Sequence, residues 1–304
     1  MLAIVIPYYK LTFFDATLQS LANQTDKRFH VYIGDDASTE KPTDLIEKYK
    51  GHFDFVYHRF ETNLGGISLT KQWERCIEKT KNEEWLMILG DDDLLDNNCV
   101  ATFYSHIKEV ESLNINVIRF SSVVIDEHGK RISKTHEHPK IEKSTDFLIR
   151  KLKGGTRSSL SEFIFRKKNL NQIKFKNLPL AWYSDYLAVL ESSNFGNIYT
   201  VNEALVFFRL SGINITSKND NLVFKNIASF QFYYYLLNEK KVFFDEQQTN
   251  ILHHQLEKTF IDNKMNIDFW RQFTKLYISN NYFKKYLIFI STMLQSMLKK
   301  IKNA

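Results

Sequence analysis

Hydrophobic and polar positions alternate between two spacings along the first third of the chain. Leu2 to Tyr9 is a continuous apolar run, the pattern of a strand buried on both faces of a parallel sheet. Phe14, Leu18 and Leu21 then share one helical face, with Thr12 placed to cap the helix and Asp15 three residues on. Phe29 to Gly34 repeats the strand pattern and ends in Asp35 and Asp36. Pro42 suits the first turn of a second helix, which stops near Gly51. A third strand spans Phe53 to Phe60, and the loop Asn63-Leu-Gly-Gly66 precedes a helix from Ile67 to Lys79. Trp85 to Leu89 is a fourth strand, and it runs straight into Asp91, Asp92 and Asp93. Alternating strands and helices predict an α/β fold with a mostly parallel sheet flanked by helices.

The middle of the chain is less regular. Ile115 to Ile125 reads as a strand closed by a turn at Asp126 to Gly129, and Ser159 to Phe165 as another strand. Pro179 to Asn194 reads as a loop leading into a helix, and Ile198 to Leu210 as a long strand. From about Asn221 the pattern is helical. Gly, Asn, Ser and Asp cluster between Gly212 and Asn221, so a boundary is expected there.

Composition changes this picture little. A 304-residue chain with 43% hydrophobic residues, 25 Phe and 15 Tyr can build a sizeable core. The net charge of +6 is mild and suits an anionic ligand or an anionic membrane surface. No nucleic-acid module signature is present, so no nucleic-acid partner is expected. Cys76 and Cys99 lack metal-like spacing; Cys76 shares a helical face with Trp73 and Ile77 and reads as a buried thiol in a reducing compartment. The opening MLAIVIPYYK has no basic n-region and no small-residue cleavage site, so no signal peptide is expected. No apolar run reaches the ~20 residues that span a bilayer.

The chemistry lies in the acids. Ligands gather at the carboxyl ends of strands in open α/β sheets, and both acidic groups occupy that kind of edge. Three adjacent carboxylates repel unless something positive offsets them. With no His or Cys nearby, oxygen ligands of this kind suit a hard divalent cation, Mg²⁺ or Mn²⁺. The same residues also suit a solvated turn, with Asp96 or Asn97 capping the next helix. The second acidic pair moves the balance towards a site.

The ordered set IVIPYYK, LQSLANQT, HVYIGDDAST, NLGG and WLMILGDDD resembles the family 2 glycosyltransferases and their GT-A nucleotide-sugar-binding fold. The motifs cover roughly the first 95 residues; each alone is weak and the set is specific. The resemblance implies that Pro7, Tyr8 and Tyr9 line the nucleotide pocket, that Asp36 contacts the base or ribose with support from Asp35, and that Lys71 meets the nucleotide or diphosphate. It implies metal binding by the Asp-rich motif. The commonest form of that motif is Asp-x-Asp-Asp, and Gly90 stands where the first Asp would be. The match makes Asp92 the chief metal ligand, Asp93 a secondary one, and Asp91 a residue facing the sugar or ribose.

The family's catalytic base is the second residue of a Glu-Asp pair beside aromatics. The corresponding stretch here is LPLAWYSDYLAVLE, with Ser184 in place of the Glu and Asp185 retained. An acid starting a helix among Trp182, Tyr183 and Tyr186 would have a raised pKa and accept protons well. It would equally stabilise a helix N-terminus. Arg209, in FFRLSGINITS, resembles the end of the family's catalytic domain and could pair with diphosphate; an ordinary surface Arg fits as well. His136, His138, His253 and His254 read as solvated. Ile290, Met293, Leu294, Met297, Leu298 and Ile301 repeat at helical spacing between Lys clusters, so the last helix could lie on an anionic membrane face or pack on its own domain.

The expected organisation is a GT-A domain over 1–215, with a nucleotide-binding half over about 1–110 and an acceptor half over about 111–215. A helical region over 216–304 follows it. The expected function is metal-dependent, inverting transfer of a sugar from a nucleotide-diphosphate donor, a UDP-sugar first, to a glycan or lipid-linked glycan in bacterial surface polysaccharide synthesis. The expected location is the cytoplasm, free or peripheral on the inner face of the cytoplasmic membrane. Two rivals remain: an inactive nucleotide-sugar-binding protein, and a sugar-phosphate nucleotidyltransferase. The second usually has a glycine-rich basic loop after its first strand, which PYYKLTFFD lacks.

Overall fold

A computed structural model describes residues 1–212, 214, 221–279 and 282–302, with side chains for all of these except 294 and 296–302. It divides into two compact units, Met1–Asn221 and Leu222–Ala304. The expected domain edge at 215/216 lies outside the described residues.

The first unit is an α/β structure around one mixed sheet. Its strands are β1 (Leu2–Tyr8), β2 (Phe29–Asp35), β3 (Asp54–Arg59), β4 (Trp85–Ile88), β5 (Leu94–Leu95), β6 (Val117–Ile125), β7 (Ile141–Lys143), β8 (Phe163–Arg166) and β9 (Asn197–Arg209). They lie in the order β3-β2-β1-β4-β8-β6-β9-β5, with β7 paired to β9. The first four strands are parallel, as the repeating pattern predicts. β8 runs antiparallel to both β4 and β6, while β6 and β9 pair in parallel with a register shift after Phe120. Leu2, Ile4, Ile6 and Tyr8 of β1 join Phe14, Leu18 and Leu21 of α1 (Phe14–Ala22) in the core. The fully buried Ala3 and Val5 alternate with them, so β1 is covered on both faces.

Register fixes the functional edge. Pro7 lies beside Gly34 and Tyr8 beside Asp35, while β4 stops at Ile88, opposite Val5. The ends of β1, β2 and β4 therefore open on one rim. The helices α2 (Thr43–Glu47), α3 (Leu69–Ile77) and α4 (Cys99–Ser112) complete the parallel half. Ser68 caps α3 by accepting from the Lys71 N–H, 3.4 Å away. The second half adds α5 (Ser144–Leu152), α6 (Lys167–Ile173) and α7 (Ser184–Ser192). Cys76 and Cys99 are both buried free thiols.

The second unit holds α8 (Leu222–Glu239), α9 (Glu246–Asp262), α10 (Ile267–Ser279) and α11 (Phe283–Lys302). Its core is aromatic: Phe230 stacks on Phe269 at 4.0 Å and Phe260 on Phe273 at 4.3 Å. In α11, Phe289 packs on Phe273 and Met293 is buried, whereas Phe283, Leu287 and Ile288 are exposed. Of the predicted apolar stripe, the side chains of Leu294, Met297, Leu298 and Ile301 lie outside the described residues.

Several local expectations are corrected. Thr12 does not cap α1; Phe13 occupies the cap position and no side chain bonds there. Ser159 to Phe165 is not all strand, because Leu160–Glu162 forms a 3₁₀ turn before β8. The cause is local competition: the Glu162 carboxylate accepts from the Ser159 N–H and hydroxyl, both at 3.0 Å. His138 and His253 are buried, not solvated. His138 sits beside the Phe147 ring, and the Tyr277 and Tyr282 rings enclose His253.

Candidate active site

The rim opens into a cleft of about 780 Å³. One wall comes from Pro7, Tyr9, Asp36, Gly65 and Gly66, the floor from Gly90 to Asp93, and the other wall from Lys151, Arg157 to Ser161 and Leu180 to Tyr186.

Each floor carboxylate has a different environment. Asp91 Oδ2 accepts the Tyr9 and Lys10 N–H groups, both at 2.8 Å, and so ties β4 to the turn after β1. Asp93 is committed at both oxygens: Oδ1 accepts the Arg209 N–H at 2.9 Å and Oδ2 the Ser161 hydroxyl at 2.6 Å. Asp92 Oδ2 accepts only the Asn214 amide, at 3.2 Å, and its Oδ1 accepts nothing among the described residues. Burial raises the pKa of all three. Asp92 is pushed up to about 8, first by burial and then by Asp93 and Asp91.

This arrangement bears on a metal. Among the described residues no group of three or more potential ligands closes around a cation. One carboxylate with a free oxygen on a floor short of positive charge fits Mg²⁺ or Mn²⁺, which take much of their coordination from phosphate oxygens and water. Gly90 explains the departure from Asp-x-Asp-Asp. A Cβ there would lie 3.0 Å from Asp92 Oδ1 and 3.1 Å from Asp93 Oδ2, so a side chain would crowd the carboxylates it should assist.

The acids of β2 are organised otherwise. Asp35 is fully buried; it bonds Arg59 and the Tyr57 hydroxyl, both at 2.6 Å, and the Ser38 N–H at 2.8 Å. Asp36 accepts the N–H groups of Leu64 at 2.7 Å and Gly65 at 2.8 Å, and pairs with Arg75. Its carboxylate shapes the glycine loop. A Cβ on Gly65 would fall 2.5 Å from Asp36 Oδ2, which is why glycine stands there.

Asp185 occupies the first turn of α7 and lines the opposite wall. Burial among Trp182, Tyr183 and Tyr186 pushes its pKa up to about 6, against the lowering effect of the Tyr186 N–H and its own. The backbone leading to it is strained: Leu180, Ala181 and Tyr183 have φ of 58°, 53° and 69°, which non-glycine residues rarely adopt. Ser184, in place of the usual Glu, is fully buried with its hydroxyl donating to Lys176 O at 2.6 Å. A Glu there would press a carboxylate against that carbonyl.

Pro7, Tyr9, Asp36, Asp91, Asp92, Asp93 and Asp185 thus meet at one cleft. Tyr8, Asp35, Lys71 and Arg209 do not line it. Tyr8 is buried with its hydroxyl on Glu40 O. Lys71 is exposed on α3; the cation that reaches this side is Arg75, one turn on, stacked 3.9 Å from the centre of the Phe60 ring. Arg209 is buried and donates to the carbonyls of Asp92, Asp126 and Glu127, so it clamps the acidic turn from behind. Lys151, Arg157 and the Ser158–Ser161 segment were not foreseen. Their only sequence signal is a basic, serine-rich stretch with no apolar period.

Comparison with known proteins agrees with this geometry. A curated protein from Haemophilus influenzae called an uncharacterized glycosyltransferase is 24% identical over 208 residues, covering 68% of this chain and 67% of that one. The fold resembles TarS of S. aureus, solved with UDP-GlcNAc, at a TM-score of 0.65 and 18% identity over 85% of this chain and 72% of that chain. It also resembles GalNAc-T7, solved with UDP, GalNAc and Mn²⁺, at a TM-score of 0.50 and 12% identity over 88% and 57%. These likenesses show a GT-A fold. The model of glycosyl transferase family 2 matches residues 3–173, more than half of the chain, and the protein accordingly belongs to that family of glycosyltransferases.

Proposed function

We propose that this glycosyltransferase moves a sugar from a UDP-sugar to a glycan hydroxyl with inversion at the anomeric carbon. The observation that carries the reading is the meeting of Asp36, Asp92 and Asp185, from three separate elements, around one cleft. Asp36 and the glycine loop it shapes receive the nucleoside. Asp92 is the chief ligand for Mn²⁺ or Mg²⁺ and Asp93 the secondary one; the bound cation would neutralise charge on the leaving diphosphate.

Asp185 takes the proton from the acceptor hydroxyl, whose oxygen attacks the anomeric carbon on the face opposite the diphosphate. A carboxyl near 6 is ionised at neutral pH yet basic enough to accept that proton. A single displacement inverts the configuration. Asp91 holds the turn bearing Tyr9 against the floor, so its contribution is positional.

A bacterial surface glycan, free or lipid-linked, is the acceptor class we assign. The exposed Phe283, Leu287 and Ile288 of α11 supply a peripheral seat on the inner face of an anionic membrane. No helix among the described residues is long and apolar enough to cross one.

The deciding measurement is Mn²⁺-dependent UDP release from a panel of UDP-sugars by wild type and Asp185→Asn. Asp185→Asn is expected to lower turnover by about 10²–10⁴ while UDP still binds. Turnover near the wild-type level would remove Asp185 as the base.

A further inference from the structure

Lys151 is a cation with no counter-charge in contact. It lies in the last turn of α5 and lines the cleft. Among the described residues its ammonium makes neither a hydrogen bond nor an ion pair. Burial lowers its pKa and Arg157 lowers it further, while Asp185 and Glu162 act in the opposite sense.

Arg157 stands on the same wall. It donates through Nη1 to Glu162 Oε1 at 3.1 Å, and its guanidinium lies 4.0 Å from the centre of the Phe208 ring. Its Nε and Nη2 donate to no described residue, and its side chain keeps 20% of its surface exposed. Glu162, the partner it has, is fully buried behind it.

Glu162 answers Arg157, but no acid among the described residues contacts Lys151, so the two cations in this partly dry cleft leave room for one further negative group. The diphosphate site of the proposed function is at the floor carboxylates. Lys151 and Arg157 belong to the wall that holds Asp185, where the transferred sugar and the acceptor must meet. A planar guanidinium with free N–H groups beside an ammonium suits a carboxylate or a phosphate.

We propose that Lys151 and Arg157 form an anion subsite beside Asp185 that selects a saccharide bearing a carboxylate or phosphate. The inference rests on the reading of the cleft as a UDP-sugar site. The acidic group comes from the donor sugar or from the acceptor, and the two sources are separable. The donor arm compares UDP-glucuronate with UDP-glucose by titration calorimetry. The acceptor arm compares methyl glucuronoside and glucose 6-phosphate with methyl glucoside by UDP release.

Wild type is expected to prefer the acidic member of one arm by about tenfold or more. Lys151→Met should lose most of that preference, and Lys151→Arg should keep it. Thermal melting checks folding, and Lys151→Gln carries the same test if the Met variant does not fold. No preference in either arm overturns the subsite. So does an equal fall for acidic and neutral ligands in Lys151→Met, which would make Lys151 a positioning charge for Asp185 alone. If UDP-sugars bind but neither arm shows a preference, only this inference fails; if no UDP-sugar binds, the proposed function fails and takes the subsite with it.

Discussion

Two acidic groups sit at the ends of the parallel strands that flank β1, and the protein treats them in opposite ways. Asp35 and Asp36 each meet an arginine, Arg59 and Arg75, and backbone N–H groups take further lone pairs. Asp91, Asp92 and Asp93 form no ion pair among the described residues: Lys10, Arg157 and Arg209 act on them only through space, and Arg209 spends its guanidinium on carbonyl oxygens. The first group is balanced within the fold. The second has no paired cation, and burial first, with mutual repulsion behind it, raises its carboxyls. A cluster of acids marks a ligand site when the protein withholds the counter-charge it gives to similar acids nearby.

Substitutions on either side should pull that contrast apart. The largest effect is expected at Asp92. Asp92→Asn should lower Mn²⁺-dependent turnover by about 10²–10³ and, without metal, raise the melting temperature, because it removes a buried carboxyl that must either take up a proton or stay charged on folding. Steady-state rates and melts in chelator check both signs; a metal-free melt below wild type would break the comparison. Arg75→Ala should do the reverse. It leaves Asp36 mostly buried and unpaired, at a cost of about 2–3 kcal/mol measured by denaturant unfolding.

The smallest effect, taken per carboxyl and per pH unit, concerns pH. The folded pKa values of Asp92, about 8, and Asp185, about 6, lie above the unfolded value near 3.9. Folding therefore holds their protons more tightly. This contribution is fully present below about pH 4 and is lost as pH rises through 6 and then 8. Metal-free protein should melt at lower temperature at pH 8 than at pH 5, by up to about 1.4 kcal/mol per pH unit for each titrating carboxyl. Asp92→Asn should flatten the upper part of that fall.

The parallel half of the fold was legible because its signals are local. β1, β2 and β4 are apolar runs, and the acids come directly after the glycines that close the second and third of these runs, Asp35 after Gly34 and Asp91 after Gly90. The wall that holds Asp185 was harder to read. Ser161 acts by bonding Asp93, 68 positions away, and no period in the sequence announces that. Lys71 and Arg75 lie one turn apart, and the choice between them was made by the reach of Arg75 to Asp36 across 39 positions. Burial of His138 and His253 depends on rings brought up from other elements. Asp185 stood out as a candidate and lines the cleft, but the strained turn that presents it, with three left-handed residues, carries no glycine to betray it.

Arg209 has a consequence for how the domain can be divided. The recognisable family span stops at residue 173, yet the arginine that braces the acidic turn lies 36 positions beyond it. A chain shortened to that span would keep all three floor carboxylates and lose the strand that fixes their direction. Sequence recognisability and structural autonomy part company here: the piece easiest to identify is not one that can stand by itself.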